Sequence, residues 1–248
     1  MNFLVDIGNS RLKWACLTGS KLQNHGSIEY TPKGLTDVLS GHWQGCPVPR
    51  QVSISSVAGE EVAKGISAVV KRLWNIHPVF ARVERERCGV VNAYRDVTQL
   101  GIDRWLAMIA AWNRYLAPVC VVDCGTAITI DGVSAGGRHL GGLIIPGLEL
   151  MQKSLINRAQ GIKADIGFEP ELAFGRSTPE CLGNGAGYAV ASLIDRVAGD
   201  LETGQGGSLC RVITGGHAEF INGLLLHKFD YHPDLVLNGL ARSLSDHG

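Results

Sequence analysis

The sequence predicts an α/β protein of two lobes, each a mixed βββαβα sheet with helices on both faces. Three observations lead there. Asp6-Ile7-Gly8-Asn9-Ser10 follows the apolar run Phe3-Leu4-Val5, and Asp123-Cys124-Gly125-Thr126-Ala127 follows Val119-Cys120-Val121-Val122. Each reads as a buried strand ending in an Asp, then a tight Gly turn with a hydroxyl or amide, then a second strand. The third is Arg211-Val212-Ile213-Thr214-Gly215-Gly216, a strand entering a Gly-Gly turn at a helix start.

The elements follow in order. Residues 2–7, 11–18 and about 21–29 read as a three-stranded meander joined by tight turns. A helix is expected over about 34–41, and a strand over Gln51–Val57 follows the turn-rich Gly45-Cys46-Pro47-Val48-Pro49. Glu60–Trp74 places Val62, Ile66, Val69, Val70 and Leu73 on one helical face. His77–Val83 reads as a further strand. The pattern restarts near residue 118, with strands at 118–124, 127–133 and 138–145. Helices at about 146–157 and 180–202, a strand at 210–214, and helices at 217–226 and 233–244 complete it. The repeat sets the lobes at 1–117 and 118–248. Trp105–Trp112 is apolar on every side, which predicts a helix buried all round. It is expected at an interface with the second lobe, with another subunit, or with both.

Composition narrows the class. The chain has 248 residues, is 45% hydrophobic, and balances 23 basic against 23 acidic residues. That suits a substantial core and argues against a surface built for nucleic acid. No apolar stretch reaches the length of a membrane span, and residues 2–7 look like a strand rather than part of a leader, so a cytoplasmic location is expected. Seven scattered cysteines without a Cys-x-x-Cys pair read as small buried hydrophobes in a reducing compartment. The histidines show no metal-ligand spacing.

The turns carry the chemistry. Gly8 and Gly125 let backbone approach a ligand, because no Cβ blocks it. The Asn, Ser and Thr side chains and the turn amides can donate to phosphate oxygens. Asp6 and Asp123 can hold Mg²⁺ directly or through water. Two such hairpins facing each other would grip a nucleoside triphosphate from both sides. Lys13 shares a strand face with Arg11. Asp103 stands at a helix start, where a carboxylate is favoured by the dipole. It reads either as a cap or, because Asp103 and Arg104 enter a helix expected to be buried, as the base of a phosphoryl transfer. Thr178, before Pro179 and Glu180, reads as a helix N-cap.

Taken together, these residues resemble the type III pantothenate kinases of the actin-like ATPase and sugar-kinase superfamily. The likeness spans nearly the whole chain. It rests on Asp6-x-Gly8-Asn9-Ser10 with Lys13, Tyr94, Gly101-x-Asp103-Arg104, Asp123-x-Gly125-Thr126, Gly141-Gly142-Leu143-Ile144-Ile145-Pro146-Gly147, Thr178 and Thr214-Gly215-Gly216. The resemblance implies two actin-like (ribonuclease H-like) lobes and ATP-dependent phosphorylation of pantothenate, the first step toward coenzyme A. It implies a cytoplasmic homodimer, and K⁺ or NH₄⁺ beside Mg²⁺, with neither nucleic acid nor membrane as partner. By the same likeness, Asp6, Ile7, Gly8, Asn9, Ser10, Arg11, Leu12, Lys13 and Thr126 bind ATP. Tyr94, Gly101, Ile102, Asp103, Arg104 and Thr178 bind pantothenate, and Asp103 is the general base. Asp123 holds the monovalent cation, and Asp6 is the residue for Mg²⁺. The role of 158–176 stays open. Another small-molecule kinase, or an ATP-binding regulator without turnover, are the rival readings.

Overall fold

Alternation of apolar residues builds the first sheet in the computed structural model, which describes residues 1–158 and 170–245. Strands β1 (Asn2–Ile7), β2 (Arg11–Thr18) and β3 (Lys21–Glu29) form the antiparallel meander. After helix α1 (Leu35–Trp43), strand β4 (Val52–Ser56) lies parallel to β1. Helix α2 (Glu60–Trp74) leads to β5 (Val79–Phe80), parallel to β4. The order across the sheet is β3-β2-β1-β4-β5. The strand expected over His77–Val83 shrinks to two residues, because an edge strand pairs on one side only; the Ala81 amide still donates to Ile54 O at 2.8 Å.

One face of this sheet is the apolar core. Phe3, Val5 and Ile7 of β1, with Val52 and Ile54 of β4, pack against Leu39 and Trp43 of α1 and Ile66, Val70 and Trp74 of α2. Trp43 stacks on Trp74 with ring centroids 5.9 Å apart and meets the Phe3 ring edge-on at 5.2 Å. The period of two then directs Leu4, Asp6, Ser53 and Ser55 to the opposite face.

The chain next forms a small hairpin, β6 (Glu86–Arg87) and β7 (Val90–Val91), turned by Cys88 and Gly89, both at positive φ. A 3₁₀ turn at Val97–Gln99 is capped by Asp96, whose carboxylate accepts from Thr98 N at 3.0 Å. Helix α3 (Ile102–Tyr115) follows, and Trp105 through Ile109 are buried as expected.

The second sheet repeats the first. Strands β8 (Val119–Cys124), β9 (Ala127–Val133) and β10 (His139–Pro146) are the meander, followed by α4 (Leu148–Arg158) and α5 (Thr178–Gly204). Of 158–176, residues 159–169 lie outside the described residues. Strand β11 (Cys210–Thr214) pairs parallel to β8, and after α6 (Ala218–Leu224) strand β12 (Asp230–Tyr231) closes the order β10-β9-β8-β11-β12. Its core face joins Cys120, Val122, Ile128 and Ile213 to Val190 and Ile194 of α5 and Ile221 of α6.

The last helix, α7 (Leu235–Ser245), returns to the first sheet and packs on β1, β2 and β4. The contact units are therefore Met1–Ala110 with Asp234–Gly248, and Ala111–Pro233, rather than the sequential halves 1–117 and 118–248. The cause is the second face of the first sheet. Leu4 and Ser53 are buried there, and α7 covers them. Trp105, Leu106 and Leu240 border a cavity of about 560 Å³ with Ser53, which sets the first turns of α3 on this face too. Where α7 crosses α3, a Cβ on Gly239 would stand 2.0 Å from Leu106 O. Gly239→Ala is expected to lower stability by about 1–3 kcal/mol through overpacking, read as a lower urea midpoint at unchanged slope. An unchanged midpoint would contradict the close crossing.

Candidate active site

Asp6 follows the buried run Phe3-Leu4-Val5 of β1 as a half-buried residue on the face opposite the apolar core. Its register partners are Lys13 across the antiparallel pair and Ser55 across the parallel one. Side chains paired in register share a face, so Lys13, Asp6 and Ser55 form one polar row across three strands. The turn beside that row is held firmly. Gly8 N donates to Arg11 O at 3.0 Å, Tyr30 N donates to Ser10 O at 3.1 Å, and the Tyr30 hydroxyl donates to Gly8 O at 2.7 Å. Burial pushes the Tyr30 pKa up, so the hydroxyl stays a donor. Asn9, Ser10 and Arg11 remain exposed at the turn, while Ile7 and Leu12 anchor it in the core. Arg11 itself is engaged by Glu29 at 2.8 Å, an exposed pair.

The second unit builds the same row. Asp123 is in register with Thr129 of β9 and Thr214 of β11. Gly125 N donates to Ala127 O at 3.0 Å, one residue tighter than the first turn. Two other segments press on this loop. A Cβ on Gly147 would lie 2.5 Å from Gly125 O and 2.7 Å from Thr126 O, and Gly147 N donates to Thr126 O at 2.9 Å. A Cβ on Gly215, at φ 103°, would lie 2.5 Å from the Asp123 carboxylate. Only glycine permits both approaches. Pro146-Gly147 is thus the support of the Asp123–Thr126 turn, and Gly141, at φ 113°, marks the irregularity in the β10–β9 register.

Tyr94, Gly101, Ile102, Asp103 and Arg104 come together at the start of α3. Asp103 lies in the first helical turn, and its carboxylate accepts from Arg104 N at 2.8 Å. It folds back over Gly101, where a Cβ would meet Oδ1 at 2.5 Å. Any side chain at 101 would displace the carboxylate, which explains the Gly-x-Asp spacing. Ile102 is buried and anchors the turn. Arg104 is 5% exposed; its Nη1 donates to the Tyr94 hydroxyl at 3.0 Å, and the guanidinium carbon sits 5.8 Å from that ring's centroid. The result is a carboxylate next to a buried cation, with an aromatic hydroxyl fixed beside both.

Sequence reading missed three contributors. Tyr30 pins the first turn. Arg85 donates to the carbonyls of Asn92, Tyr94 and Arg95 at 3.1, 2.7 and 3.0 Å and so fixes the loop that carries Tyr94. Ser55 occupies in the first sheet the place of Thr214 in the second, a signal present in the repeat itself. The expected N-cap moves by one residue: Ser177 caps α5, accepting from Glu180 N at 3.4 Å, and Thr178 is the exposed first helical residue. Thr178 is therefore free of the capping duty that Ser177 performs. The cysteines are all thiols, and burial raises Cys120 to about 12 and Cys124 well above its ordinary value, so neither is a nucleophile at neutral pH.

Duplicated sheets, each with an aspartate next to the end of the central strand and a glycine turn after it, define an actin-like fold. Comparison with known proteins narrows this. Residues 2–200 match the family model for type III pantothenate kinase. A type III pantothenate kinase of Nitrosococcus oceani is 41% identical over 251 residues, covering 99% of this chain and 94% of the relative. Another, of Marinobacter nauticus, is 36% identical over 250 residues, with 99% and 98% covered. A solved Baf-family protein from Campylobacter jejuni superposes with a TM-score of 0.63 at 22% identity, covering 98% of this chain and 97% of that one. The activator of a 2-hydroxyisocaproyl-CoA dehydratase from Clostridium difficile, solved with bound ADPNP, gives 0.54 at 12% identity, with 99% and 93% covered. These two structural likenesses establish the fold alone. The chain belongs to the type III pantothenate kinase family.

The support given by Gly147 is open to test. Gly147→Val should speed hydrogen exchange of the Gly125 amide at least tenfold while core amides of β1 keep their protection. Equal exchange in both proteins would mean that the close approach does not hold the turn.

Proposed function

We propose that this protein transfers the γ-phosphoryl group of ATP to the primary hydroxyl of pantothenate, giving 4'-phosphopantothenate and ADP, the first step of coenzyme A synthesis. The observation that carries the reading is the Asp103 constellation. A carboxylate is held over Gly101 beside a buried Arg104, which is itself bonded to Tyr94. Phosphoryl transfer asks the protein for positioning, charge neutralisation and a base near the attacking hydroxyl. The hydroxyl oxygen attacks the γ-phosphorus, the bond to the β–γ bridging oxygen breaks, and Asp103 takes the hydroxyl proton. Arg104 and Tyr94 orient the pantothenate carboxylate and amide groups, Gly101 and Ile102 shape the wall, and Thr178 supplies a hydroxyl to the same substrate.

Asp6 through Lys13, with Thr126, bind ATP in this reading. Among the described residues no group of three or more His, Cys, Asp or Glu side chains is arranged to hold a metal. Mg²⁺ binds through one or two carboxylates, waters and substrate phosphates rather than an all-protein cage. Asp6 is the carboxylate for it, and bound Mg²⁺ would neutralise phosphate charge. Asp123 is assigned to K⁺ or NH₄⁺. Its hard-oxygen surroundings, with Thr214 in register and backbone pressed against the carboxylate at Gly215, suit such an ion.

A homodimer fits the second unit's surface. Leu143 and Ile144 of the edge strand β10, Leu150 and Leu155 of α4, and Tyr188 of α5 are exposed apolar side chains. No described helix is long and apolar enough to cross a membrane, and the balanced charge gives no footprint for nucleic acid; a cytoplasmic location completes the reading.

The base is tested by Asp103→Asn. Binding of ATP and of pantothenate, measured by calorimetry, should stay within a few-fold of wild type while kcat falls ~10²-fold or more. A near-normal kcat would remove Asp103 from that role.

A further inference from the structure

Ser55 is the most deeply buried polar side chain next to either aspartate. It is 0% exposed, and its hydroxyl has no hydrogen-bond partner among the described residues. Buried hydroxyls are nearly always satisfied, so an unmet one asks for an explanation. Its position supplies one. Ser55 is the register partner of Asp6 on the parallel side, and both lie on the face that turns away from the apolar core. The second sheet places Thr214 in the same relation to Asp123. The loops that follow are anchored alike. Val57 N donates to Ile7 O at 3.0 Å, and His217 N donates to Cys124 O at 3.0 Å. In each sheet, then, the residue after the aspartate accepts from the loop that leaves the parallel strand, and a hydroxyl residue of that strand is in register with the aspartate. A repeat that keeps a hydroxyl at this place twice, once at the cost of leaving it unsatisfied, points to a partner that arrives with the ligand.

We propose that the Ser55 hydroxyl donates to an oxygen of the Mg²⁺–nucleotide assembly held at Asp6, making Ser55 a nucleotide-binding residue. The acceptor is either a phosphate oxygen or a metal-bound water, both electron-rich oxygens that a lone hydroxyl can serve. This rests on the reading of Asp6 as a residue of the nucleotide site, and it adds a contact that neither the Asp-x-Gly turn nor the Thr-Gly-Gly turn contains.

Ser55→Ala separates this role from a structural one, because removing an unmet buried hydroxyl cannot weaken the unliganded fold by loss of a bond. The thermal midpoint of the unliganded Ala variant is expected to equal or exceed that of wild type. The midpoint rise on adding Mg²⁺ and ATP should shrink, and half-saturation by ATP should rise about tenfold, the effect of one hydrogen bond to a charged group. Half-saturation by pantothenate should not change, and Ser55→Thr, which keeps the hydroxyl, should restore ATP affinity. Repeating the thermal measurement with ATP and EDTA identifies the acceptor: a deficit with Mg²⁺ only assigns the metal-bound water, and a deficit in both assigns a phosphate oxygen. Unchanged ATP affinity in the Ala variant overturns the proposal, as does a lower midpoint of the unliganded variant. Failure of the wild type to phosphorylate pantothenate would instead count against the assigned substrate, since the nucleotide-induced midpoint shift reads Ser55 without turnover.

Discussion

Everything in this fold is arranged around a carboxylate at the end of a strand that has an antiparallel neighbour on one side and a parallel neighbour on the other. Asp6 on β1 and Asp123 on β8 both hold that position. The antiparallel side supplies a tight turn beside the carboxylate, closed by Gly8 N donating to Arg11 O in one sheet and Gly125 N donating to Ala127 O in the other. The parallel side supplies a strand end, where the next chain segment leaves the sheet and can lay backbone or a hydroxyl against the same spot. Neither a purely antiparallel nor a purely parallel sheet offers both at one aspartate. The strand order β3-β2-β1-β4-β5, repeated as β10-β9-β8-β11-β12, is thus the structural reason that each Asp-x-Gly turn has both kinds of neighbour, the arrangement on which the proposed phosphate and cation sites rest.

The two copies have diverged in how they reach that arrangement. The first turn is one residue longer, exposes Asn9 and Ser10, and is steadied by the Tyr30 hydroxyl. The second is shorter and is steadied by close backbone approach at Gly147 and Gly215. A side chain pins one turn, and the absence of side chains pins the other. The first sheet has the added task of presenting Asp103. It does so with α3, which shares the sheet's second face with α7 and fits closely against it because Gly239 has no Cβ.

Much of this was legible in the sequence, and the parts that were not share a cause. The Asp-Gly turns, the strand–turn–strand repeat, the amphipathic helix Glu60–Trp74 and the buried run in α3 all rest on local pattern, and the structure has them. The return of α7 to the first sheet was not visible, since its amphipathic pattern names a buried face but no partner for it. The Ser177 cap was missed by one residue, because Ser177, Thr178 and Pro179 all satisfy cap preferences and only backbone geometry decides among them. Arg85 and Tyr30 act through positions distant in sequence from what they hold, Arg85 gripping carbonyls up to ten residues on and Tyr30 gripping Gly8 across 22 residues, and Ser55 meets Asp6 only through strand pairing. Such contacts follow from register, and register follows from the assembled sheet.

The central claim is that these duplicated carboxylate sites serve transfer of phosphate from ATP to pantothenate. It is tested most directly by ADP release from the purified wild-type chain with ATP, Mg²⁺ and pantothenate, run in parallel with K⁺ and with Na⁺ and against a panel of sugars. The account predicts ADP release that requires pantothenate, falls when Na⁺ replaces K⁺, and is not supported by the sugars. Release that is independent of pantothenate, or that a sugar supports equally well, would contradict it.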